Sequence, residues 1–283
     1  MAARGLDMPD REKVVHYLTF ISYYRLSGYC HYFYKDPTSQ DPAFRDGTSF
    51  DDVLNLYIFD RQFRNLLMDA LERIEVAAKA TIANSVSISA GPFWLTDANC
   101  FDYGLHNGIM ELVQDVVGDD PQNHQHQYIS HFYQSYNAPA YPPAWMLMEA
   151  LSFAAVSKVY QRLKGVYRSD VAKEFKEHQT ILESWLHALS FARNVCAHHQ
   201  RVWNRRFTIQ PKIPHRLKAD WPDRSRPFVY SVCAMIHYLM GVIADESQWS
   251  HRLCEPIEAR PGVPLNRMGF PDDWAQSAFW ALG

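Results

Sequence analysis

The chain has 283 residues, of which 47% are hydrophobic and 14% aromatic, so it is long and apolar enough to fold around a sizeable core. Its net charge is −3, its five cysteines include no C-x-x-C pair, and it contains only 12 glycines. These features exclude a disordered chain, and they argue against a zinc ribbon, a disulfide framework and a glycine-rich Rossmann architecture.

Helices are predicted along most of the chain. Apolar residues recur at helical spacing, and strand-like alternation is weak everywhere. Asp10 marks one helix start and Ser49 or Asp51 another, while residues 35–50 are rich in Asp, Pro, Ser and Gly and indicate a loop. In chain order, the predicted helices cover residues 11–22, 52–88, 107–118, 144–163, about 181–203 and about 228–244, and a loop-like tail follows residue 255.

The predicted architecture is one all-α domain over residues 1–250, with a loop-rich C-terminal extension over 251–283. Neither a signal peptide nor a membrane span is predicted. The first 15 residues carry six charged side chains and no apolar core of a signal peptide. The longest apolar stretch, 232–244, is too short to cross a bilayer. Because scattered cysteines suit a reducing compartment, we expect a cytoplasmic protein that does not contact membranes.

Residues 193–198, Arg-Asn-Val-Cys-Ala-His, form the most informative stretch of the chain. At about 100° per residue, Arg193 falls in the middle of the apolar stripe of its helix. Asn194, His198 and Arg201 share the neighbouring flank. An arginine on an apolar face needs a carboxylate, a phosphate or a partner subunit, and a nearby imidazole can act as acid or base. The stripe consists of Leu182, Trp185, Leu186, Leu189 and Cys196.

A purely structural interpretation of the same residues stays open. Positive groups near the C-terminal end of a helix interact favourably with its dipole, so Arg193 and His198 also fit a capping role. Glu75 and Glu149 each lie among apolar residues and are the predicted support residues, either of them a candidate counter-ion for Arg193 or Arg73.

A basic segment follows the motif. Residues 201–226 contain eight Lys or Arg against two acids, although the whole chain is slightly acidic. Trp203, Phe207 and Trp221 are interleaved with these charges. Such a segment can follow a phosphate backbone and stack bases, and the alternative is a solvated basic loop.

No metal or cofactor site is predicted. The sequence lacks a zinc-protease signature, a glycine-rich phosphate loop and a kinase signature. His124, His126 and His131 have no matching acid or cysteine set, and they are predicted to form the polar edge of an aromatic surface patch. The adjacent His198 and His199 diverge by about 100° on a helix and cannot readily share one ion.

Four motifs occur in order between residues 10 and 245. They are Tyr24-Arg25-Leu26-Ser27-Gly28-Tyr29, the stretch from Phe59 to Val76, the stretch from Pro142 to Phe153, and the stretch from Ala192 to Arg205. Together they resemble the Abi family, the AbiD/AbiF-like abortive-infection proteins of bacteria. The resemblance implies a HEPN-like helical bundle with peripheral helical and loop elaborations, in which R-x4–6-H is the ribonuclease signature. Arg193 and His198 match that signature.

The resemblance and the chemistry of RNA cleavage imply a role for each site residue. His198 transfers the proton, Arg193 stabilises the charge on the phosphate, and Asn194 orients one of them. Because one histidine cannot comfortably serve as both base and acid, we expect a homodimer that places two Arg193/His198 pairs in one cleft. The predicted RNA-binding residues are Arg201, Arg205, Arg206 and Lys212, and His199 is a further support residue.

The leading hypothesis is therefore a metal-independent endoribonuclease of the phage-defence, toxin-like type. Such an enzyme would harm its own host, so the resemblance also implies restraint by an antitoxin RNA or protein. Two alternatives stay open. One is a non-catalytic RNA-binding or regulatory module. The other is a structural helical protein whose Arg193 is neutralised by Glu149 or Glu75.

Overall fold

A computed structural model describes residues 1–218, 221 and 229–280. This part of the chain contains eleven α-helices and no β-strand, so the predicted all-α fold is confirmed. The helices are α1 Arg11–Ile21, α2 Tyr23–Cys30, α3 Phe50–Ala90, α4 Asn107–Val117, α5 Gln127–Ser135, α6 Ala144–Ala150, α7 Phe153–Arg162, α8 Gly165–Glu174, α9 Gln179–Ala197, α10 Val229–Ile243 and α11 Trp249–Glu258.

Helix α3 is the central element of the fold. It runs for 41 residues and begins with a capping box, in which Ser49 and Asp52 exchange hydrogen bonds between side chain and backbone. Apolar residues lie on more than one of its faces, so it packs against α2, α6, α8, α9, α10 and α11. The α3 scaffold therefore determines where α9, the helix with the Arg/His motif, is held.

The predicted helices over 11–22, 52–88, 107–118 and 228–244 are confirmed, and their predicted ends lie within two residues of the observed ends. Asp10 caps α1 as predicted, because its carboxylate accepts a hydrogen bond from the Lys13 backbone N–H at 2.9 Å.

The single helix predicted over 144–163 is wrong. Two helices, α6 and α7, replace it, and Leu151 between them is extended. The Ser152 side chain accepts a hydrogen bond from the Ala155 backbone N–H and so caps α7. A serine side chain that bonds to the backbone in this way favours the start of a new helix over continuation of the previous one. Hydrophobic periodicity contains no signal for this effect.

Four helices were not predicted: α2, α5, α8 and α11. Two contacts hold α11 on α3, an ion pair of 2.7 Å between Arg252 and Asp69 and a hydrogen bond between Arg260 and Gln62 just beyond the helix. Pro256 inside α11 makes the local sequence resemble a loop. The helix spans residue 250, where the sequence predicts the start of the extension. Among the described residues, no helix is long and apolar enough to cross a membrane.

Candidate functional site

Helix α9 presents a buried face to the core and carries the motif at its C-terminal end. All five residues of the predicted apolar stripe are buried, as expected. Arg193 does not lie buried within that stripe, because its side chain is 30% exposed. It leaves the helix at the edge of the α3–α9 contact, where its guanidinium meets both protein and solvent.

Glu75 is the counter-ion of Arg193. Its carboxylate, on α3, lies 3.3 Å from Arg193 Nε and 3.2 Å from Lys79 Nζ. The Glu75 side chain is only 11% exposed, so it has little water to solvate its charge and depends on these two cations. The contact holds Arg193 at one position, and 30% of its side chain stays exposed to solvent.

Glu149 does not fill the counter-ion role that the sequence allowed. Its side chain is exposed, and only its backbone carbonyl takes part in the site, by accepting a hydrogen bond from Lys79 Nζ at 3.1 Å. Lys79 lies one turn beyond Glu75 on α3 and pairs with it at i, i+4. It links the end of α6 to the carboxylate that holds Arg193.

Asn194 and His198 lie on the outer side of the motif. Arg193 Nη1 donates a hydrogen bond of 3.4 Å to Asn194 Oδ1, so the amide is next to the guanidinium. His198 is exposed, and its imidazole has no hydrogen-bond partner among the described residues. Five residues turn a helix by about 140°, so the Arg193 and His198 side chains point in different directions from one chain.

The motif helix ends at Ala197, and its predicted extension to about residue 203 is wrong. His199 adopts a positive φ of 54°, and the Gln200 backbone N–H donates to the Val195 carbonyl. This pattern closes a helix end. Arg201 therefore does not share a helical flank with Asn194 and His198.

Helix α2 is tied to this helix end by two arginines. Arg25 Nη1 donates a hydrogen bond of 2.8 Å to the His199 carbonyl, and Arg201 Nη1 donates to the Gly28 carbonyl. The Arg201 guanidinium also lies 6.0 Å from the centre of the Tyr29 ring. The predicted support residue His199 thus acts through its backbone, and its side chain is exposed.

A buried ionic cluster that was not predicted fixes the chain after the motif. Asp60 is fully buried, and its Oδ2 lies 2.5 Å from Arg64 Nη1. The Tyr29 hydroxyl donates a hydrogen bond of 2.5 Å to the same Oδ2 atom. The other oxygen accepts the backbone N–H groups of Val202 and Trp203 at 3.0 and 2.6 Å. Burial and the adjacent carboxylate raise the pKa of Tyr29, so its phenol stays protonated and donates.

The basic segment runs back along α9. Arg205 lies 6.0 Å from the centre of the Phe191 ring, and burial together with the neighbouring Arg201 lowers its pKa. The Lys212 backbone is fixed to Trp185 and Ser184 by hydrogen bonds of 2.8 Å. Of the predicted RNA-binding side chains, Arg206 and Lys212 are exposed and Arg201 and Arg205 are half-buried. Arg224 and Arg226 lie outside the described residues.

Two other chemistries find no support in this region. Burial raises the pKa of the Cys196 thiol to about 12, so it is protonated near neutral pH and is a poor nucleophile. No group of three or more His, Cys, Asp or Glu in the described part of the chain is arranged to hold a metal ion.

Most of the chain is similar to a known protein family. A family model described as Abi-like protein matches residues 16–204, two thirds of the chain. The match begins within α1 and ends in the segment that Asp60 anchors, so it includes α3 and the whole motif. No curated protein and no solved structure matches the chain.

Proposed function

The chain belongs to the Abi-like protein family, and from that premise we propose that it is a metal-independent endoribonuclease. Family membership indicates a role in abortive infection, a form of phage defence. The AbiD/AbiF-like assignment, the HEPN-like character of the helical bundle and the cleavage of RNA are the finer parts of the proposal.

One observation carries the proposal: a guanidinium held in place by a buried carboxylate lies on the same helix end as an unpartnered imidazole. The structural alternative also predicts the contact between Arg193 and Glu75. It assigns no role to the exposed His198 imidazole, which makes no hydrogen bond to a carbonyl at the helix end among the described residues. A guanidinium and an imidazole are groups that phosphodiester transfer uses, the first to stabilise charge and the second to transfer protons.

The proposed reaction is an internal transesterification of RNA. His198 as base takes the proton of a ribose 2′-OH, and the 2′ oxygen attacks the adjacent phosphorus. The bond from phosphorus to the 5′ oxygen breaks, and a protonated imidazole supplies a proton to that leaving oxygen. The products are a 2′,3′-cyclic phosphate and a 5′-hydroxyl. Arg193 stabilises the charge that develops on the phosphorane oxygens, and Asn194 orients its guanidinium.

A homodimer provides the second imidazole that this reaction uses. Because Arg193 and His198 diverge by about 140° on α9, one chain presents them in different directions. Two copies related by a two-fold axis bring Arg193 of one into line with His198 of the other. One imidazole, in its neutral form, then serves as the base, and the other, in its protonated form, serves as the acid.

Restraint of the activity and its location complete the proposal. A ribonuclease that acts on cellular RNA would damage its host, so we place it under the control of an antitoxin RNA or protein. We also propose a cytoplasmic location, where such RNA is found. The absence of disulfides among its five cysteines is consistent with a reducing compartment.

Cleavage in the absence of metal tests the proposed function. The purified protein is incubated with end-labelled single-stranded RNA in EDTA, and the new 3′ ends are identified. We expect 2′,3′-cyclic phosphate ends with the wild type and none with His198→Ala. RNA that is bound by both proteins and cut by neither would contradict the enzyme and support the RNA-binding module. Cleavage that requires an added divalent ion would contradict the mechanism.

A further inference from the structure

Three large aromatic side chains are exposed where α1 meets α2, namely Phe20, Tyr23 and Tyr24, and two of them are exposed over most of their surface. Phe20 is 77% exposed and Tyr24 is 89% exposed. The centres of the His16 and Phe20 rings lie 5.2 Å apart. The Tyr24 hydroxyl has no hydrogen-bond partner among the described residues. We call Phe20 and Tyr24 the aromatic pair. Large aromatics usually bury most of their surface, so an exposed pair indicates a binding role.

The helix that carries Tyr24 is tied to the chain at the end of the motif helix. Tyr24 and Gly28 are one turn apart on the same face of α2. Arg201 occupies that face, because its Nη1 lies 3.8 Å from the position that a Cβ on Gly28 would take. The next residue, Arg25, donates to the His199 carbonyl. Both contacts connect the surface that carries Tyr24 to the segment that follows His198.

The composition of this corner favours a nucleic acid over a protein surface. Aromatic faces stack unpaired bases, and adjacent guanidinium groups attract the phosphates between them. Arg25 and Arg201 provide those positive groups within the same corner. Bases inside a duplex are already stacked and cannot lie flat on a side chain, so the pair discriminates between single and double strands.

We propose that Phe20 and Tyr24 stack unpaired bases beside the scissile phosphate, so that the substrate is single-stranded RNA. This inference rests on the proposed function, because it assigns a substrate class to the site around Arg193 and His198. The occupant is an RNA strand with at least one unpaired base next to the cut.

Binding measurements on catalytically silent protein test the inference. In the His198→Ala background, fluorescence anisotropy measures the Kd of a short labelled single strand and of the same sequence as a duplex. We expect the single strand to bind more tightly. Tyr24→Ala should weaken single-strand binding about tenfold, a loss typical of one base-stacking contact, and leave duplex binding unchanged. Tyr24→Trp should retain the affinity, and Phe20→Ala should repeat the loss.

Tyr103→Ala is the matched control, since this tyrosine is fully exposed on the loop before α4, and it should bind like the parent protein. Equal losses of affinity for single strand and duplex, or no loss of affinity with Tyr24→Ala, would overturn the stacking inference. The proposed function would still be supported in that case if the wild type cleaved RNA. Dissociation of a dimer by Tyr24→Ala, measured by sedimentation, would assign the aromatic pair to a self-interface and also overturn the inference. A wild type that neither binds nor cuts RNA would refute both.

Discussion

Replacing His198 with alanine is expected to slow RNA cleavage by about 10³-fold, the scale on which general acid–base catalysis contributes. The imidazole is exposed and lacks a hydrogen-bond partner among the described residues, so its removal leaves no cavity and no stranded polar group. Folding stability and RNA affinity should therefore stay at the wild-type level. Single-turnover cleavage of labelled RNA measures the rate, and thermal unfolding checks the fold.

His187→Ala is the matched control for that measurement. His187 is an exposed histidine on the same helix, outside the motif, and its replacement should leave the cleavage rate within a factor of about two, because it touches no reacting group. A His198→Ala protein that cleaves as fast as the His187→Ala protein would remove His198 from the mechanism.

Replacing Asp60 with alanine is expected to lower the free energy of unfolding by about 3–5 kcal/mol, the usual cost of breaking a buried ion pair from one side. The substitution leaves the Arg64 charge without a partner inside the protein, with its side chain only 6% exposed. It also removes the acceptor of the Tyr29 hydroxyl and of the Val202 and Trp203 backbone N–H groups. Urea unfolding followed by far-UV circular dichroism measures the change.

Asp69→Ala provides the comparison on the same helix. Asp69 pairs with Arg252 at 2.7 Å, but both side chains are more than two fifths exposed, so its loss should cost about 1 kcal/mol or less. An Asp60→Ala protein no less stable than the Asp69→Ala protein would mean that the buried cluster does not anchor the segment after the motif.

Much of the scaffold was predictable because local signals and burial agree. In α3, the Ser49 cap and a long run of apolar positions indicate the same helix. The same holds for α9, where every member of the predicted stripe is buried. The break between α6 and α7 was missed because one serine side chain decides it, and α11 was missed because contacts with α3 stabilise it.

For the candidate site, the sequence suggests which residues to consider but does not determine which groups contact them. Sequence spacing identified Arg193, Asn194 and His198, and burial among apolar residues marked Glu75 and Glu149 equally. Only the packing of α3 on α9 shows that Glu75, and not Glu149, is the counter-ion of Arg193. Asp60 and Arg64 do carry a signal, since two opposite charges at i, i+4 lie on an apolar stripe beside Phe59 and Phe63. Their anchoring role depends on contacts with the backbone of residues 202 and 203, which are distant in the sequence. No local pattern predicts such contacts.

The most direct test of the central claim is a double-mutant cycle on Arg193 and His198. Single-turnover cleavage rates are measured in EDTA for the wild type, Arg193→Ala, His198→Ala and the double variant. Groups that act on one phosphate lose their effects together. The account therefore predicts that each single variant loses most of the activity and that the double variant is no slower than the slower single one. Near-wild-type cleavage by either single variant, or losses that multiply, would contradict a shared Arg193/His198 site.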